Sequence, residues 1–451
     1  MTENTQFSST QSPRSQSPQR PGSPGRRSRA PRGRRASLTV AAALALGGTV
    51  AGCASALPGT AVAATQPSRS TPAAARLAAL ARQEVAAGAP GVIVRVGDGR
   101  GPAIQIADQA KWTRADGTLT VGNEFRMGSN TKTMVATVIL QLVAEHRLAL
   151  TDPVSKWLPG LIPDGHAITI RMLLDHTSGL FNYTEDPAVL KAFDGQSARA
   201  WTPRELLAAA VGHKPLFAPG KEYSYSNTNY IALGLVAQKI TGESLGELIQ
   251  QRIVRPLGLK DTYLLTSFPV PGEARLANGY EPDAARLAPV LPPYAPPGSS
   301  FAGPARGTWV DTTRINPSTE WAAGGMVSSA ADWARFTSAL LSGRLLPPAQ
   351  LREMETTVSE GPSTPNRYGL GIEETVTPCG TVWGHVGQAP GYSSWDYTDS
   401  TGHRTASVFV TTIFGLATPK AAVATQTLID GAVCAMLGQP IPTTGPSSAA
   451  S

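Results

Sequence analysis

Near both ends of the chain, apolar residues occur in short runs rich in β-branched side chains. Such runs are typical of strands, because branched side chains pack well on a pleated surface. The predicted strands are residues 91–96, 103–107, 119–121, 381–383, 393–397 and 407–413. These two groups are far apart in the chain, which indicates one sheet built from both chain ends.

Outside these runs, the apolar residues follow the spacing of helices. Residues 129–146 carry a stripe at i, i+3, i+4 and i+7, which predicts a helix with one face on a core. The stripe consists of Val135, Val138, Ile139 and Leu142. Residues 202–205 and 244–247 resemble the capping boxes that begin helices. A Thr-Pro pair begins each of two further predicted helices, 72–88 and 419–437.

The order of these elements predicts a single domain, residues 64–437, with an all-helical lobe inserted at about 129–320. Residues 267–318 are rich in Pro and Gly, so we expect a long surface excursion that is ordered by contacts. Residues 438–451, rich in Pro, Thr and Ser, are expected to form a disordered tail.

Charge is distributed unevenly along the 451 residues, whose formal net charge is +7. Before residue 38 there are eight Arg and one acidic side chain, and in the rest of the chain basic and acidic side chains are equal in number. The folded body therefore lacks the basic surface of a nucleic-acid-binding protein. A mean hydropathy of −0.10 excludes a multi-span membrane protein.

The beginning of the chain has the layout of an export leader. Residues 1–37 are rich in Ser, Pro and Arg, and a short apolar run follows at 38–50. We predict a basic, disordered n-region plus an export signal over residues 1–63, and hence an extracytoplasmic, secreted protein. Small residues place the cleavage near Ala63, and a lipobox-like sequence leaves a lipid anchor at Cys53 as the alternative. An arginine pair leaves the Sec and twin-arginine routes both open.

The remaining cysteines and the histidines predict a disulfide and no metal site. Cleavage near Ala63 leaves Cys379 and Cys434. An even pair in an exported protein favours a disulfide, with two buried free thiols as the alternative. The six histidines lack the spacing of zinc ligands, and no phosphate-binding motif is present. We therefore predict neither a metal nor a cofactor.

Two motifs place a nucleophile beside groups that move protons. Ser129 and Lys132 lie one helical turn apart, and a partly desolvated lysine has a lowered pKa that suits it to accept the serine proton. In Tyr225-Ser226-Asn227, a nearby lysine is expected to lower the pKa of Tyr225, and the Asn227 amide would orient the lysine and a substrate carbonyl. Taken alone, the first motif is better explained as an exposed helix start, and the second as an aromatic-rich loop.

A third motif, His385-Val386-Gly387, follows late in the chain. Glycines on both sides of His385 allow close approach of the backbone, so an extended substrate could pair with this strand. His385 would offer it a positive or hydrogen-bonding group. Taken alone, a histidine between glycines is more often a turn residue than a substrate-binding residue.

Together and in this order, the three motifs resemble those of the serine penicillin-recognising enzymes, of the class C β-lactamase and secreted D-alanyl-D-alanine carboxypeptidase type. Residues 173–180, 323–326 and 368–371 are similar too, and the resemblance covers most of residues 72–437. It implies an α/β (α+β) fold of the β-lactamase/transpeptidase kind, with an antiparallel sheet flanked by helices. It also implies a disulfide between the Cys379 segment and the last helix.

The resemblance further implies roles for single residues. Ser129 would be the acylated nucleophile, Lys132 its proton partner, and Tyr225 the general acid/base that protonates the leaving amine. The backbone N–H groups of Ser129 and Gln388 would form an oxyanion hole. The expected substrate-binding residues are Asn227, His385, Gly387, Gln388 and Trp321.

Two departures concern the recognition of a substrate carboxylate. Val386 replaces a threonine whose hydroxyl would bind it, and Glu373-Glu374 follows where the carboxypeptidases tend to place an arginine. Loss of one charge-assisted hydrogen bond weakens such recognition by about 1.5–3 kcal/mol.

The function expected from the sequence is an exported serine hydrolase that acts through an acyl-serine intermediate. It would be a D-alanyl-D-alanine carboxypeptidase-like peptidase that acts on cell-wall peptides and recognises β-lactams. Its partners would be a small peptide, ester or β-lactam substrate and peptidoglycan, but no nucleic acid, and the protein would be a monomer. The alternatives are a carboxylesterase, a β-lactamase of the same fold, or a non-catalytic binder of cell-wall peptides.

Overall fold

The computed structural model describes residues 71–269, 273–291 and 298–442. The predicted leader, with both cleavage alternatives, lies outside the described residues. Within them, the strands are β1 (Gly91–Gly97), β2 (Ile104–Gln109), β3 (Phe125–Arg126), β4 (Tyr263–Leu264), β5 (Tyr280–Pro282), β6 (Ala305–Arg306), β7 (Trp309–Asp311), β8 (Met326–Ser328), β9 (Val358–Ser359), β10 (Arg367–Tyr368), β11 (Glu373–Thr377), β12 (Gly380–Ala389), β13 (Tyr392–Thr398) and β14 (Thr405–Val410). The helices are α1 (Pro72–Ala87), α2 (Thr131–Ala144), α3 (Val154–Trp157), α4 (Ile170–Leu174), α5 (Pro187–Phe193), α6 (Pro203–Val211), α7 (Asn227–Thr241), α8 (Leu245–Ile249), α9 (Arg255–Leu257), α10 (Ala284–Leu287), α11 (Trp321–Gly324), α12 (Ala330–Leu341), α13 (Pro348–Met354) and α14 (Pro419–Leu437).

Eight strands form the main sheet, which is antiparallel throughout and has the order β2-β1-β14-β13-β12-β11-β10-β9. β1 from the beginning of the domain pairs with β14 from its end, so that Ile93 lies opposite Phe409. The two chain ends thus meet inside one sheet, which confirms the predicted α/β (α+β) class with an antiparallel sheet flanked by helices.

Helices cover both faces of this sheet. On one face, α1 and α14 pack with Leu77, Leu80 and Leu428 against strand residues such as Val92 and Val408. Both helices begin as predicted, because the hydroxyls of Thr71 and Thr418 accept hydrogen bonds from the first-turn backbone and proline occupies the first helical position. On the other face, Ile93 and Phe409 belong to a larger core with α2, α7 and α12.

The inserted lobe is mainly helical, but the prediction that it is all-helical is wrong. Four short strands, β4 to β7, lie within it, and β5, β7 and β6 form a small sheet. This sheet comes from the Pro- and Gly-rich excursion, where proline prevents a continuous helix and short strands pair the backbone groups instead. The carboxylate of Glu281 on β5 fixes this region to the sheet, accepting hydrogen bonds from the backbone of Gly391, Ile413 and Phe414.

Two further sequence predictions can be compared with the structure. Residues 119–121 are not a strand, because Leu119 donates its N–H to the Gln109 side chain instead of to a neighbouring strand. Residues 438–442 are not part of a disordered tail, because Ile441 packs with the α1–α14 cluster and Arg76 donates to the Pro442 carbonyl at 2.9 Å. The remainder of that tail lies outside the described residues.

Cys379 and Cys434 form the predicted disulfide, which joins the turn before β12 to α14. Among the described helices, none combines the length and apolar character needed to cross a membrane.

Candidate active site

Ser129 lies in a single 3-10 turn, Gly128–Asn130, that leads directly into α2. Two neighbours hold this turn in place. The Asn130 amide donates to the Ser394 hydroxyl on β13 at 2.8 Å, and the Thr131 hydroxyl accepts from Met326 N–H on β8 at 2.9 Å. The Ser129 side chain is therefore fixed between the sheet and the helical lobe, partly exposed.

Lys132 is fully buried one turn later, and its amine contacts three oxygens. These are Ser129 Oγ at 2.9 Å, Asn227 Oδ1 at 2.7 Å and the Ala323 carbonyl at 2.8 Å. Burial lowers the pKa of Lys132 well below its usual value, against the opposing effect of Glu373 and Glu320. In a neutral amine, two N–H bonds serve the two oxygens that only accept, and the lone pair is left for the Ser129 hydroxyl proton. Lys132 can therefore act as the base for Ser129.

Asn227 begins α7 and is held by Asn182, a residue that the motifs did not indicate. Asn182 Oδ1 accepts from both the backbone N–H of Asn227, at 3.1 Å, and its side-chain amide, at 3.2 Å. This pair of contacts turns Asn227 Oδ1 toward Lys132. The only sequence feature that could have suggested Asn182 is its position just after the similar segment 173–180.

The Tyr225 hydroxyl is buried, and the ring lies 4.3 Å from that of His176 and 4.8 Å from Lys132 Nζ. Burial raises the pKa of Tyr225 well above its usual value, although the nearby Ser129 side chain opposes the rise. The predicted lowering by lysine is therefore wrong, because desolvation of the phenol has the largest effect on its pKa and raises it. Tyr225 is a neutral phenol, suited to donate a proton.

His176 packs against the ring of Tyr225 and also binds the loop that carries it. Its Nδ1 accepts the Ser226 N–H at 3.1 Å, which fixes the loop that carries Tyr225 and Asn227. His176 has a positive φ of 60°. This backbone conformation, in the similar segment 173–180, turns the chain under the loop.

Two glycines bring β12 against the nucleophile. A Cβ on Gly387 would lie 1.9 Å from the Met127 carbonyl, and one on Gly128 would lie 2.4 Å from Gln388 N. The backbone of β12 at Gly387 and Gln388 therefore lies close to the backbone of the turn that carries Ser129. The expected oxyanion hole would use the N–H groups of Ser129 and Gln388 at this junction.

A cavity of about 320 Å³ opens at these residues. Ser129, Tyr225, Asn227 and Gln388 line it, as expected, together with a polar and an apolar set. The polar set is Asn182, Thr184, Asp194, Thr319 and Glu320, and the apolar set includes Leu190, Phe193, Leu287, Leu291, Phe301 and Phe414. No described residue that lines the cavity is basic. No cluster of His, Cys, Asp or Glu in the described ranges could hold a metal ion.

His385 is buried behind the site and does not line the cavity, contrary to the expected substrate contact. Its Nδ1–H donates to the Val386 carbonyl at 2.6 Å, and its Nε2 accepts from the Tyr368 hydroxyl at 2.8 Å. Burial, with a smaller effect of Lys132, lowers the pKa of His385 to about 3. A positive charge at this position is therefore excluded, and His385 supports Tyr225, whose ring centroid is 6.2 Å away.

Trp321 is not a cavity residue either. It is buried in the main core, and its indole occupies the space where Gly234 of α7 has no side chain. Its neighbours Glu320, Ala323 and Gly324 line the cavity instead.

Comparison with known proteins agrees with this geometry. The sequence model of the Beta-lactamase family matches residues 77–429. The chain belongs to the beta-lactamase family. The resemblance to the serine penicillin-recognising enzymes is thus confirmed, and with it the serine hydrolase superfamily and its fold.

Within the beta-lactamase family, two solved structures cover most of the chain. A D-stereospecific amidohydrolase from Streptomyces sp. is 36% identical, with 78% of this chain and 97% of that chain covered and a TM-score of 0.65. D-amino acid amidase from Ochrobactrum anthropi SV3 is 25% identical, with 80% and 98% covered and a TM-score of 0.70.

Esterase EstB from Burkholderia gladioli is 36% identical over 155 residues, 32% of this chain and 39% of the esterase. The chain spans about half the length, or less, of the first curated relatives that it matches.

Proposed function

We propose that this protein is an amidohydrolase that cleaves small amides of D-amino acids through an acyl-Ser129 intermediate. The observation that supports this choice is the chemistry of the cavity wall, where two carboxylates and no basic side chain are found among the described residues. Glu320 is paired with Arg126, so a substrate with a terminal carboxylate would add a negative charge to a wall whose other acid, Asp194, has no cation partner among the described residues. The expected carboxypeptidase activity is therefore disfavoured, whereas an amide leaving group without charge is accommodated.

The site residues suggest the order of proton transfers. Ser129 Oγ attacks the substrate carbonyl while Lys132 accepts its proton, and the N–H groups of Ser129 and Gln388 bind the oxyanion. Tyr225 then gives its proton to the leaving nitrogen as the C–N bond breaks, and the proton on Lys132 restores Tyr225. A water molecule cleaves the acyl ester and returns the proton to Ser129.

Two relatives support the same choice, because their names are D-stereospecific amidohydrolase and D-amino acid amidase and both alignments cover nearly the whole of the relative. We also propose, from the leader sequence alone, that the protein acts after export.

The test is to incubate the purified protein and its Ser129→Ala variant with D-phenylalaninamide, D-alanyl-D-alanine and a fluorescent penicillin. We expect ammonia release from D-phenylalaninamide by the wild type alone, with an acyl adduct on Ser129 detectable by intact mass spectrometry. Faster hydrolysis of D-alanyl-D-alanine would identify a carboxypeptidase instead. Full activity of Ser129→Ala would exclude the acyl-serine mechanism, and rapid turnover of the penicillin would favour a β-lactamase.

A further inference from the structure

A carboxylate without a partner lies in the wall of the cavity. Asp194 directly follows α5, and its backbone is fixed by hydrogen bonds to the Leu190 carbonyl and from Ala302 N–H, at 2.8 and 2.9 Å. Its side chain makes no hydrogen bond or ion pair with any residue in the described part of the chain. Burial raises the pKa of Asp194 to about 7, because nothing nearby compensates the charge.

A second acid in the same wall is also incompletely paired. The Glu320 side chain is only 5% exposed, and its Oε1 accepts from Arg126 at 2.9 Å. Its Oε2 has no hydrogen-bond partner. Arg126 offsets one of the two negative charges, so the wall keeps one uncompensated carboxylate. A buried charge of this kind is costly unless a cation binds beside it.

The rest of the cavity defines what else the occupant must contain. Leu190 and Phe193 of α5, together with Phe301, line the cavity that Asp194 lines. A hydrocarbon or aromatic side chain would bury its surface there. The occupant therefore combines a cation, an apolar side chain and a carbonyl carbon within reach of Ser129. An amino acid amide with an unblocked amino group has all three.

We propose that Asp194 binds the α-ammonium group of the substrate and thereby restricts the enzyme to amides whose amino terminus is free. This inference rests on the proposed amide hydrolysis at Ser129. Asp194 is a binding residue in it and takes no part in proton transfer. Its contact is the same in the ground state and the transition state, so its loss affects KM and leaves kcat nearly unchanged.

The experiment compares D-phenylalaninamide with N-acetyl-D-phenylalaninamide and with the neutral ester 4-nitrophenyl acetate. For the wild type, acetylation should lower kcat/KM by about 10- to 100-fold, the loss of one charge-assisted contact. Asp194→Asn should lower kcat/KM for D-phenylalaninamide by a similar factor, through KM. The same variant should hydrolyse the ester within about twofold of the wild type.

Glu355→Gln is the matched control. Glu355 also follows the last residue of a helix, α13, and burial alone raises its pKa, but it does not line the cavity. This variant should behave as the wild type on all three substrates. If Asp194→Asn loses the ester activity to the same extent as the amide activity, Asp194 has a structural role and the inference is wrong.

Failure of the inference and failure of the proposed function can be distinguished. Equal hydrolysis of the free and the acetylated amide by the wild type refutes the role of Asp194 and leaves the amidohydrolase intact. If the wild type hydrolyses neither amide, the proposed function is wrong. Calorimetric binding of D-phenylalaninamide to Ser129→Ala then decides the inference by itself, because equal affinity with and without Asp194→Asn would refute it.

Discussion

The chemistry of single residues in this site depends on burial more than on neighbouring charges. Lys132 faces two acids, Glu320 and Glu373, yet burial lowers its pKa and leaves it a base. Tyr225 lies beside that lysine, yet burial raises its pKa and leaves it an acid. His176 and His385 pack on the same tyrosine as neutral rings, because burial also lowers their pKa values. The two proton-transfer roles are thus separated by desolvation.

The first prediction concerns the pH dependence of acylation. Below the pKa of Lys132 the amine is protonated and cannot accept the Ser129 proton, so kcat/KM should rise with pH and reach a plateau above that pKa. Because the pKa is lowered, the midpoint should lie well below the usual lysine value of about 10.4. The measurement is kcat/KM for 4-nitrophenyl acetate against pH, since this ester does not itself ionise.

Lys132→Arg provides the control, because a guanidinium stays protonated throughout the range. This variant should lose at least about 100-fold in kcat/KM and show no rising limb. A wild-type rate that falls as pH rises through the same range would contradict the role of Lys132 as base.

Sequence alone identified the residues that meet at Ser129, but not the protonation state of each of them. The motifs that contain Ser129, Lys132, Tyr225 and Asn227 could be recognised because each is a short pattern beside the start of a helix. The protonation of Tyr225 could not be predicted, because its burial depends on rings from distant segments. Asn182 and Asp194 were missed for a related reason, since a single polar residue after an apolar run has no distinguishing pattern.

At the level of elements, the site depends on how closely β12 approaches the turn before α2. Gly387 and Gly128 face that junction, and the atoms that a side chain would meet are mainly backbone. Backbone atoms on two fixed elements cannot move apart without displacing a strand. The expected oxyanion hole would therefore depend on both elements together and not on either one alone.

The second prediction tests this junction with Gly387→Ala. The added methyl group would lie 1.9 Å from the Met127 carbonyl and 2.7 Å from Ser394 Oγ, so β12 must shift away from Ser129. We expect a loss of at least about 100-fold in kcat/KM, as for a lost oxyanion donor, and a fall of about 1–3 kcal/mol in the free energy of unfolding. Steady-state kinetics and urea denaturation measure the two effects.

Gly101→Ala is the comparison variant, because nothing lies within 4 Å of its added Cβ. It should keep wild-type activity and a free energy of unfolding within about 0.5 kcal/mol of the wild type. Wild-type kinetics for Gly387→Ala would show that the close approach is not needed for catalysis.

Helices with strong local determinants and the longer strands of the main sheet were predicted, whereas the shortest strands were not. The Thr-Pro starts of α1 and α14 and the capping box of α6 depend on neighbours in sequence. β9 and β10 are two residues each and exist only because the sheet edge offers partners. For the same reason the segment 119–121, with suitable residues but no partner strand, is not a strand.

At the scale of the whole molecule, strands from the beginning and the end of the domain pair in one sheet, and the disulfide adds a covalent link. β1 pairs with β14, α1 packs on α14, and Cys379 joins the turn before β12 to α14. The sequence order predicted this meeting of the ends. It did not predict that the described parts of residues 267–318 supply Leu287, Leu291 and Phe301 to the cavity, because composition alone does not indicate where a Pro-rich segment packs.

The last prediction is that the disulfide stabilises the fold without contributing to the reaction. It closes a loop of 55 residues, so the Cys379→Ala/Cys434→Ala double variant should lose about 2–4 kcal/mol of unfolding free energy. Gly380 and Gln388 stand eight positions apart on β12, a distance of about 27 Å along an extended strand, so hydrolysis of 4-nitrophenyl acetate should stay within about twofold of the wild type. Urea denaturation of both proteins, with and without dithiothreitol, measures the free energy of unfolding. The reductant should lower the stability of the wild type to that of the variant and leave the variant unchanged. Equal stability of the wild type and the double variant without dithiothreitol would refute the stabilising role of the disulfide. A large loss of ester hydrolysis in the folded variant would show that the disulfide also positions β12.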